Sequence, residues 1–280
     1  MIIKILHYID EHIREPLSVG GIAQAAGYSP YHFSRMFSLA TGLPVMEYVR
    51  KRKLEYATVD IGSGERLLDI AVRYGFESHE SLTRAFKREY GMPPRAFRVL
   101  QNAPISVPPL TIPATERRTT MEVLIKSLGE RRVIGYRFQT QPASAEIPQY
   151  WYDVMHDDRW QRLISKASPD AMNFGICINM QDAPEGWFDY MIAFDHNPSA
   201  PVDPDMALFT IPAAQYAVLR VPNTPPEAES GAPEIREGWN YLYTQWYPNS
   251  GYTYDEGKPE FEVYPDSEHC EIYIPVVKKV

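Results

Sequence analysis

The sequence predicts two domains of different class. An all-α N-terminal domain with two helix-turn-helix units is expected over residues 1–104, and an α+β domain over 120–280, with two β-β-α-β-β halves around a concave antiparallel sheet. Three observations predict this: a repeat within the first hundred residues, a change from helical to strand periodicity near residue 120, and a Pro-rich stretch at 105–119 read as a linker. A chain of 280 residues that is 44% hydrophobic holds enough apolar side chain for two cores.

The repeat comes first in chain order. Ile22-Ala23 and Gly27-Tyr28 recur as Ile70-Ala71 and Gly75-Phe76. After one extra residue in the second copy, Ser29, Arg35, Phe37, Gly42 and Pro44 recur as Ser78, Arg84, Phe86, Gly91 and Pro93. Each copy reads as a short helix, a glycine turn, a Ser N-cap and a second helix that stops at glycine. That is the grammar of a helix-turn-helix unit. In the second helix of copy one, Phe33, Met36, Phe37 and Ala40 fall at core spacing, leaving Tyr31, Ser34, Arg35 and Ser38 opposite. The matching face of copy two carries Glu80, Thr83, Arg84 and Lys87. Arg, Ser, Thr and Glu side chains can pair with base edges in a major groove, whereas any one of them alone is equally an ordinary solvated residue.

Charge follows the same division. The net charge is −8, but residues 1–100 sum to +3 and the remainder to −11. Between the two copies, EYVRKRKLEYA (47–57) reads as a helix carrying Arg50, Lys51, Arg52 and Lys53, placed where phosphate contacts would fix register on a duplex; some of the four are expected in structural ion pairs instead.

The linker is read from Pro104, Pro108, Pro109 and Pro113. Beyond it, MEVLIKSL and RRVIGYRFQ read as strands around Gly129-Glu130, followed by a helix near 147–165 and the strands MNFGICINM and WFDYMIAFD. The order recurs as ALFTIP, QYAVLRV, a helix over about 234–246, FEVY and CEIYIPVV. All five Trp and twelve of the nineteen Tyr lie in this second part. In FEVY, Glu262 and Tyr264 alternate onto one face, so a carboxylate shares a surface with an aromatic ring, an arrangement suited to a lipophilic cation. A surface or structural role for Glu262 is the alternative. Trp151, Tyr152, Trp187, Trp239 and Trp246 are individually core candidates, of which one or two could line a cavity.

Several classes find no support. The start of the chain is charged every few residues, and no apolar run approaches the roughly 20 residues of a spanning helix, so a cytoplasmic protein without membrane partner is expected. Cys177 and Cys270 are too few for a disulfide framework, and His269 beside Cys270 has no metal-ligand spacing. No catalytic Ser/His/Asp grouping or phosphate loop stands out, and neither an enzyme nor a cofactor is expected.

The stretch GFESHESLTRAFKREYGMPPRAFR (75–98) resembles the signature of the AraC/XylS family, and residues 2–100 resemble its MarA/SoxS/Rob branch. The resemblance implies a transcription regulator of double-stranded DNA, with RNA polymerase as a further partner. Its base readers would be Tyr31, Ser34 and Arg35 in the first recognition helix, with His79, Glu80, Thr83 and Arg84 in the second. Tyr31 stands where the branch has Trp, Glu80 where it has a neutral amide, and Leu82 where Phe is common, so the operator sequence does not carry over. Residues 121–280 resemble the GyrI-like effector-binding domain, through IPAAQYAVLRV, WNYLYTQWYPNSGY, PEFEVY and EIYIPV. This resemblance implies a small-molecule effector held at Glu262 among aromatics, with Glu271 and Tyr273 as secondary lining, and the carboxylate suits a cationic one. Two other classes stay open for the second domain: a protein-interaction module, and a glutamate-dependent hydrolase of the kind some GyrI-like domains are.

Overall fold

The computed structural model describes residues 2–100, 121–141, 146–178, 187–223 and 233–279. The expected linker at 105–119 lies outside them. The chain divides into two compact units, Met1–Phe37 with Leu43–Ala114 and Thr115–Val280 with Ser38–Gly42. Among the described residues no helix is long and apolar enough to cross a membrane.

The first unit is all helix: α1 Ile2–Glu11, α2 Val19–Ala26, α3 Pro30–Thr41, α4 Val45–Gly62, α5 Leu67–Arg73, α6 His79–Tyr90 and α7 Pro94–Leu100. The repeat appears as two helix pairs, α2–α3 and α5–α6. Their turns are made by Gly27 and Gly75 at φ 76° and 71°, left-handed values that cost a side chain with a Cβ. Ser29 Oγ accepts from the N–H of His32 at the start of α3. Ser78 and Ser81 satisfy each other's backbone at the start of α6 in a reciprocal capping box. Phe37 and Phe86, repeated positions, sit at the core of each copy: Phe37 meets Tyr48 edge-on at 5.2 Å, and Phe86 meets Phe97 at 5.2 Å. Helix α4 joins the copies. Its Arg52 is buried and bridges Asp10 of α1 and Glu55, while Arg98 of α7 donates to the Ile61 and Glu65 carbonyls at the end of α4.

The second unit is an antiparallel sheet with helices. Its elements are β1 Val123–Leu128, β2 Arg131–Thr140, α8 Glu146–His156, α9 Asp158–Ser165, β3 Asn173–Ile178, β4 Phe188–Asp195, β5 Ala207–Ile211, β6 Ala214–Pro222, α10 Pro233–Tyr241, a π-helical turn Leu242–Trp246, β7 Tyr252–Tyr254, β8 Glu260–Tyr264 and β9 His269–Lys278. The sheet runs β1-β6-β9-β8-β3-β4-β2-β5, with β7 added on β9. The single helix expected near 147–165 is two, because Asp157 ends one run and caps the next. β7 was not expected. Although β1 and β2 are consecutive, they do not pair with each other; β1 joins β6, and β2 joins β5 and β4, so the two halves exchange strands.

Each face of the sheet is buried differently. One carries Val133, Phe174, Ile176, Met191, Val218, Phe261, Val263 and Tyr273 in a continuous apolar core. The other is covered by helices. Trp160 of α9 meets Phe194 at 5.4 Å, and α10 lies so close that a Cβ on Gly238 would stand 2.7 Å from Ile272 Cδ1. The candidate site forms on this helix-covered face.

Candidate functional site

On β8, period-two alternation sends Glu262 and Tyr264 toward the helices and Phe261 and Val263 into the apolar core. Register then decides what meets the carboxylate. Glu262 pairs with Gly175 on β3 and Ile272 on β9. Three neutral donors converge on it: Trp239 Nε1 to Oε1 at 2.7 Å, Tyr264 Oη to Oε2 at 2.8 Å and Tyr190 Oη to Oε2 at 3.2 Å. Trp151 Nε1 in turn donates to Tyr190 Oη at 2.8 Å, and its ring meets that of Tyr264 at 5.2 Å. Glu262 is half-buried, and among the described residues no cation lies within ion-pair distance of it. Burial, then the adjacent Glu262 charge, holds the phenols of Tyr190 and Tyr264 well above their ordinary range, so both stay protonated as donors. The result is an anion oriented by neutral dipoles and walled by rings.

Of the residues expected around a ligand, the structure brings together Glu262, Tyr264 and Trp151. Glu271 and Tyr273 lie on the opposite face, because β9 pairs Glu271 with Val263. There Tyr273 Oη and Lys126 Nζ both donate to Glu271 Oε2, at 2.7 and 3.0 Å. Trp187 is half-buried just before β4 and makes none of the hydrogen bonds around Glu262. Tyr190, Gly175 and the role of Trp239 as a donor were missed. Alternation in FDYMIAF puts Tyr190 on a definite face, but nothing local says which face. A second carboxylate, Glu260, is buried on the Glu262 side and accepts a hydrogen bond from Tyr243 Oη. Cys177 and Cys270 are buried and unbridged.

In the helical unit, α6 carries His79, Glu80, Thr83, Arg84 and Lys87 along one side, with Leu82 and Phe86 buried on the other. His79, Glu80, Arg84 and Lys87 are exposed, and Thr83 is half-buried with its hydroxyl donating to the His79 carbonyl. Among the described residues Arg84 and Lys87 form no ion pair. Glu80 is held below the ordinary carboxylate range by backbone N–H donation at the helix start and by Ser78. The face ends in an open groove lined by Leu67, His79, Glu80, Thr83, Arg84, Pro93, Pro94 and Arg95. On α3 the expected outward face is not outward: Tyr31, Ser34, Arg35 and Ser38 are buried like Phe33, Met36 and Phe37, because the helix is covered on both sides from 31 to 38. On α4, Arg50 is half-buried near Glu47, Lys51 pairs with Glu89 at 2.9 Å, and Lys53 lies against the Gly75 turn, where burial lowers its pKa.

A family profile described as "Integron-associated effector binding protein" matches residues 124–276, and one described as "Helix-turn-helix domain" matches residues 22–99. The Multiple antibiotic resistance protein MarA of Salmonella typhimurium is 40% identical over 97 residues, 34% of this chain and 76% of that protein. The Right origin-binding protein of Escherichia coli is 38% identical over 95 residues, 34% of this chain and 33% of that one. A solved structure, SAV2435 bound to tetraphenylphosphonium, aligns with 56% of this chain and 94% of its own at 23% identity, with a TM-score of 0.46.

Proposed function

Because the chain belongs to the family of integron-associated effector binding proteins and carries an AraC-type helix-turn-helix domain ahead of that region, we propose that it is a sequence-specific transcription regulator that senses a small lipophilic cation at Glu262. The observation that carries the sensing half is a half-buried carboxylate held by three neutral donors, with no counter-charge among the described residues. Trp239, Tyr190 and Tyr264 occupy the directions in which a primary ammonium would place its N–H groups. A cation with delocalised or shielded charge needs no such bond, and it gains from the carboxylate field and the ring faces together.

The DNA half rests on α6. In this reading Arg84 pairs with guanine, Glu80 with the cytosine amino group and Thr83 with either, while His79 stands beside them and Lys87 contacts phosphate. Tyr31, Ser34 and Arg35 of α3 hold the corresponding positions of the first unit but are buried, so base reading by them requires that this face be uncovered; on the connecting helix, phosphate contact by Arg50 and Lys51 competes with their Glu47 and Glu89 pairs, and Lys53 is half-buried. Helix α4 has 18 residues, about 27 Å at 1.5 Å per residue. Two recognition helices so joined address successive major grooves about 34 Å apart from a single chain. RNA polymerase is the partner on which a promoter-bound regulator acts.

Footprinting with mass measurement of the complex, repeated with tetraphenylphosphonium, tests both halves. The expected result is an asymmetric footprint of about two turns from a 1:1 complex, with an operator affinity that changes when the cation binds. A palindrome protected only by a 2:1 complex overturns the monomer reading, and an operator affinity indifferent to a bound cation overturns the sensing.

A further inference from the structure

The sheet of the second unit is two-fold by register. Residues 123–128 and 131–140 (β1, β2) have their counterparts in 207–211 and 214–222 (β5, β6), with the same two-residue turn between them. The pair Tyr136↔Ile192 of β2·β4 then recurs as Leu219↔Ile272 of β6·β9, and Gly175↔Ile192 of β3·β4 recurs as Glu262↔Ile272 of β8·β9. Gly175 and Glu262 are therefore counterparts. They are also directly opposite each other in β3·β8, so the two-fold axis of the duplicated domain runs through that pair.

Around this axis three large polar residues have small counterparts. Glu262 corresponds to Gly175, Tyr264 to Cys177 and Tyr190 to Cys270. The two tryptophans that deliver N–H groups, Trp151 of α8 and Trp239 of α10, come from corresponding helices. Of these pairs Gly175 and Glu262 meet directly across the axis, so only one of the two has room for a long side chain. A Cβ added to Gly175 would fall well inside contact with Tyr190 Oη, 3.0 Å from Glu262 Oε2 and 3.1 Å from Tyr190 Cζ. The glycine is not needed by the backbone, since Gly175 is an ordinary strand position outside the positive-φ set. Its missing side chain is what leaves space for the carboxylate and the phenol that orients it.

We propose that Gly175 is the positioning residue of the cation site, the gap on the domain's two-fold axis that admits the Glu262 carboxylate and its Tyr190 donor. The inference deepens the cation-sensing reading and rests on it for the ligand. A methyl group at this position strikes the Tyr190 hydroxyl and displaces the acceptor of Trp151 and the donor to Glu262 in one movement.

The test uses the full chain, with the indole N–H resonances of Trp151 and Trp239 read without any ligand and tetraphenylphosphonium affinity read by calorimetry. Gly175→Ala is expected to shift both resonances and to weaken the cation by about tenfold or more, the scale of losing a charge-assisted hydrogen bond. Adding Tyr190→Phe removes the struck hydroxyl together with its bond to Glu262; the double variant should return the Trp239 resonance and match the affinity of Tyr190→Phe alone. Parent-like resonances and affinity in Gly175→Ala overturn the proposal, and so does a double variant that binds more weakly than Tyr190→Phe alone in a chain that melts normally. Should Gly175→Ala fail to fold, the double variant decides: a folded chain with the affinity of Tyr190→Phe alone supports the steric gap, and any other outcome overturns it. A parent chain that ignores the cation sinks the sensing reading instead, and the indole resonances then judge Gly175 on their own.

Discussion

Replacing Glu262 by Gln removes one charge and almost no volume. A lipophilic cation seated against the surrounding rings would hold its centre about 5 Å from the carboxylate, and at an effective dielectric of about 20 that attraction is worth about 3 kcal/mol. Its loss corresponds to roughly a hundredfold in affinity. The same substitution costs the fold much less. Trp239 can only donate, so the Gln oxygen must face it, and the amide N–H groups then face Tyr190 and Tyr264, whose hydroxyls can rotate to accept. One rearranged network of this kind costs about 1 kcal/mol of stability. The two effects are separable by calorimetry with tetraphenylphosphonium and with neutral triphenylphosphine oxide, alongside a melting curve. The cation should lose about a hundredfold and the neutral compound less than about threefold, since only the cation interacts with the charge. An equal loss for both ligands, or none for either in a chain of unchanged melting temperature, would refute the carboxylate's role.

Arg84→Ala should weaken specific DNA binding by about 1–3 kcal/mol and relax one base position, whereas Lys87→Ala should weaken all sequences alike and reduce the salt slope by about one. Titration against randomised sites separates them, and uniform weakening by Arg84→Ala removes that residue from readout. Arg52→Met strands Asp10 and Glu55, at 23% and 33% side-chain exposure, and should cost up to about 3 kcal/mol, the low end for a broken buried pair because water reaches both carboxylates. Urea unfolding followed by the helical signal checks this, and a negligible change would show that the pair does not hold α1 to α4. Burial alone would raise the Glu271 pKa, but the Tyr273 hydroxyl and Lys126 bring it below its ordinary value. A depressed carboxyl stabilises the fold above its unfolded pKa and loses that contribution as pH falls through the folded value. Lys126→Met should therefore flatten the acid limb of the stability curve of the second unit; an unaltered slope would exclude Lys126 as the cause.

The helical unit was legible because its signals are local. Ser29 and Ser78 cap within three residues, Gly27 and Gly75 turn where they stand, and the spacing of Phe33, Met36 and Phe37 names a buried face without reference to any other segment. The basic run at 50–53 was legible only as charge. Arg52 is an internal ion pair, Lys51 an exposed one and Lys53 a half-buried neighbour of the Gly75 turn, because Asp10, Glu89 and Gly75 arrive from elsewhere in the chain. Local pattern shows that a residue is charged; tertiary structure decides whether the charge is free to meet phosphate.

In the sheet the limit is parity. Alternation within FEVY put Glu262 with Tyr264, and alternation within EIYIPV put Glu271 with Tyr273, yet neither strand states which of its faces matches its neighbour's. The turn between β8 and β9 fixes that, by setting Glu262 opposite Ile272 and Val263 opposite Glu271. A slip of one residue would have brought Glu271 and Tyr273 to the carboxylate side, since a single step reverses every side chain on the strand. What local pattern withholds, internal duplication partly restores. Aligning the halves on the shared turn of β1-β2 and β5-β6 does not by itself bring Glu262 to Gly175, because the segments that lead to β3 and β8 differ in length; the strand pairings supply that step. A carboxylate and a glycine that face each other across the axis, with the space over the glycine filled by Glu262 and Tyr190, are therefore legible as counterparts only once the registers of β3·β4 and β8·β9 are known.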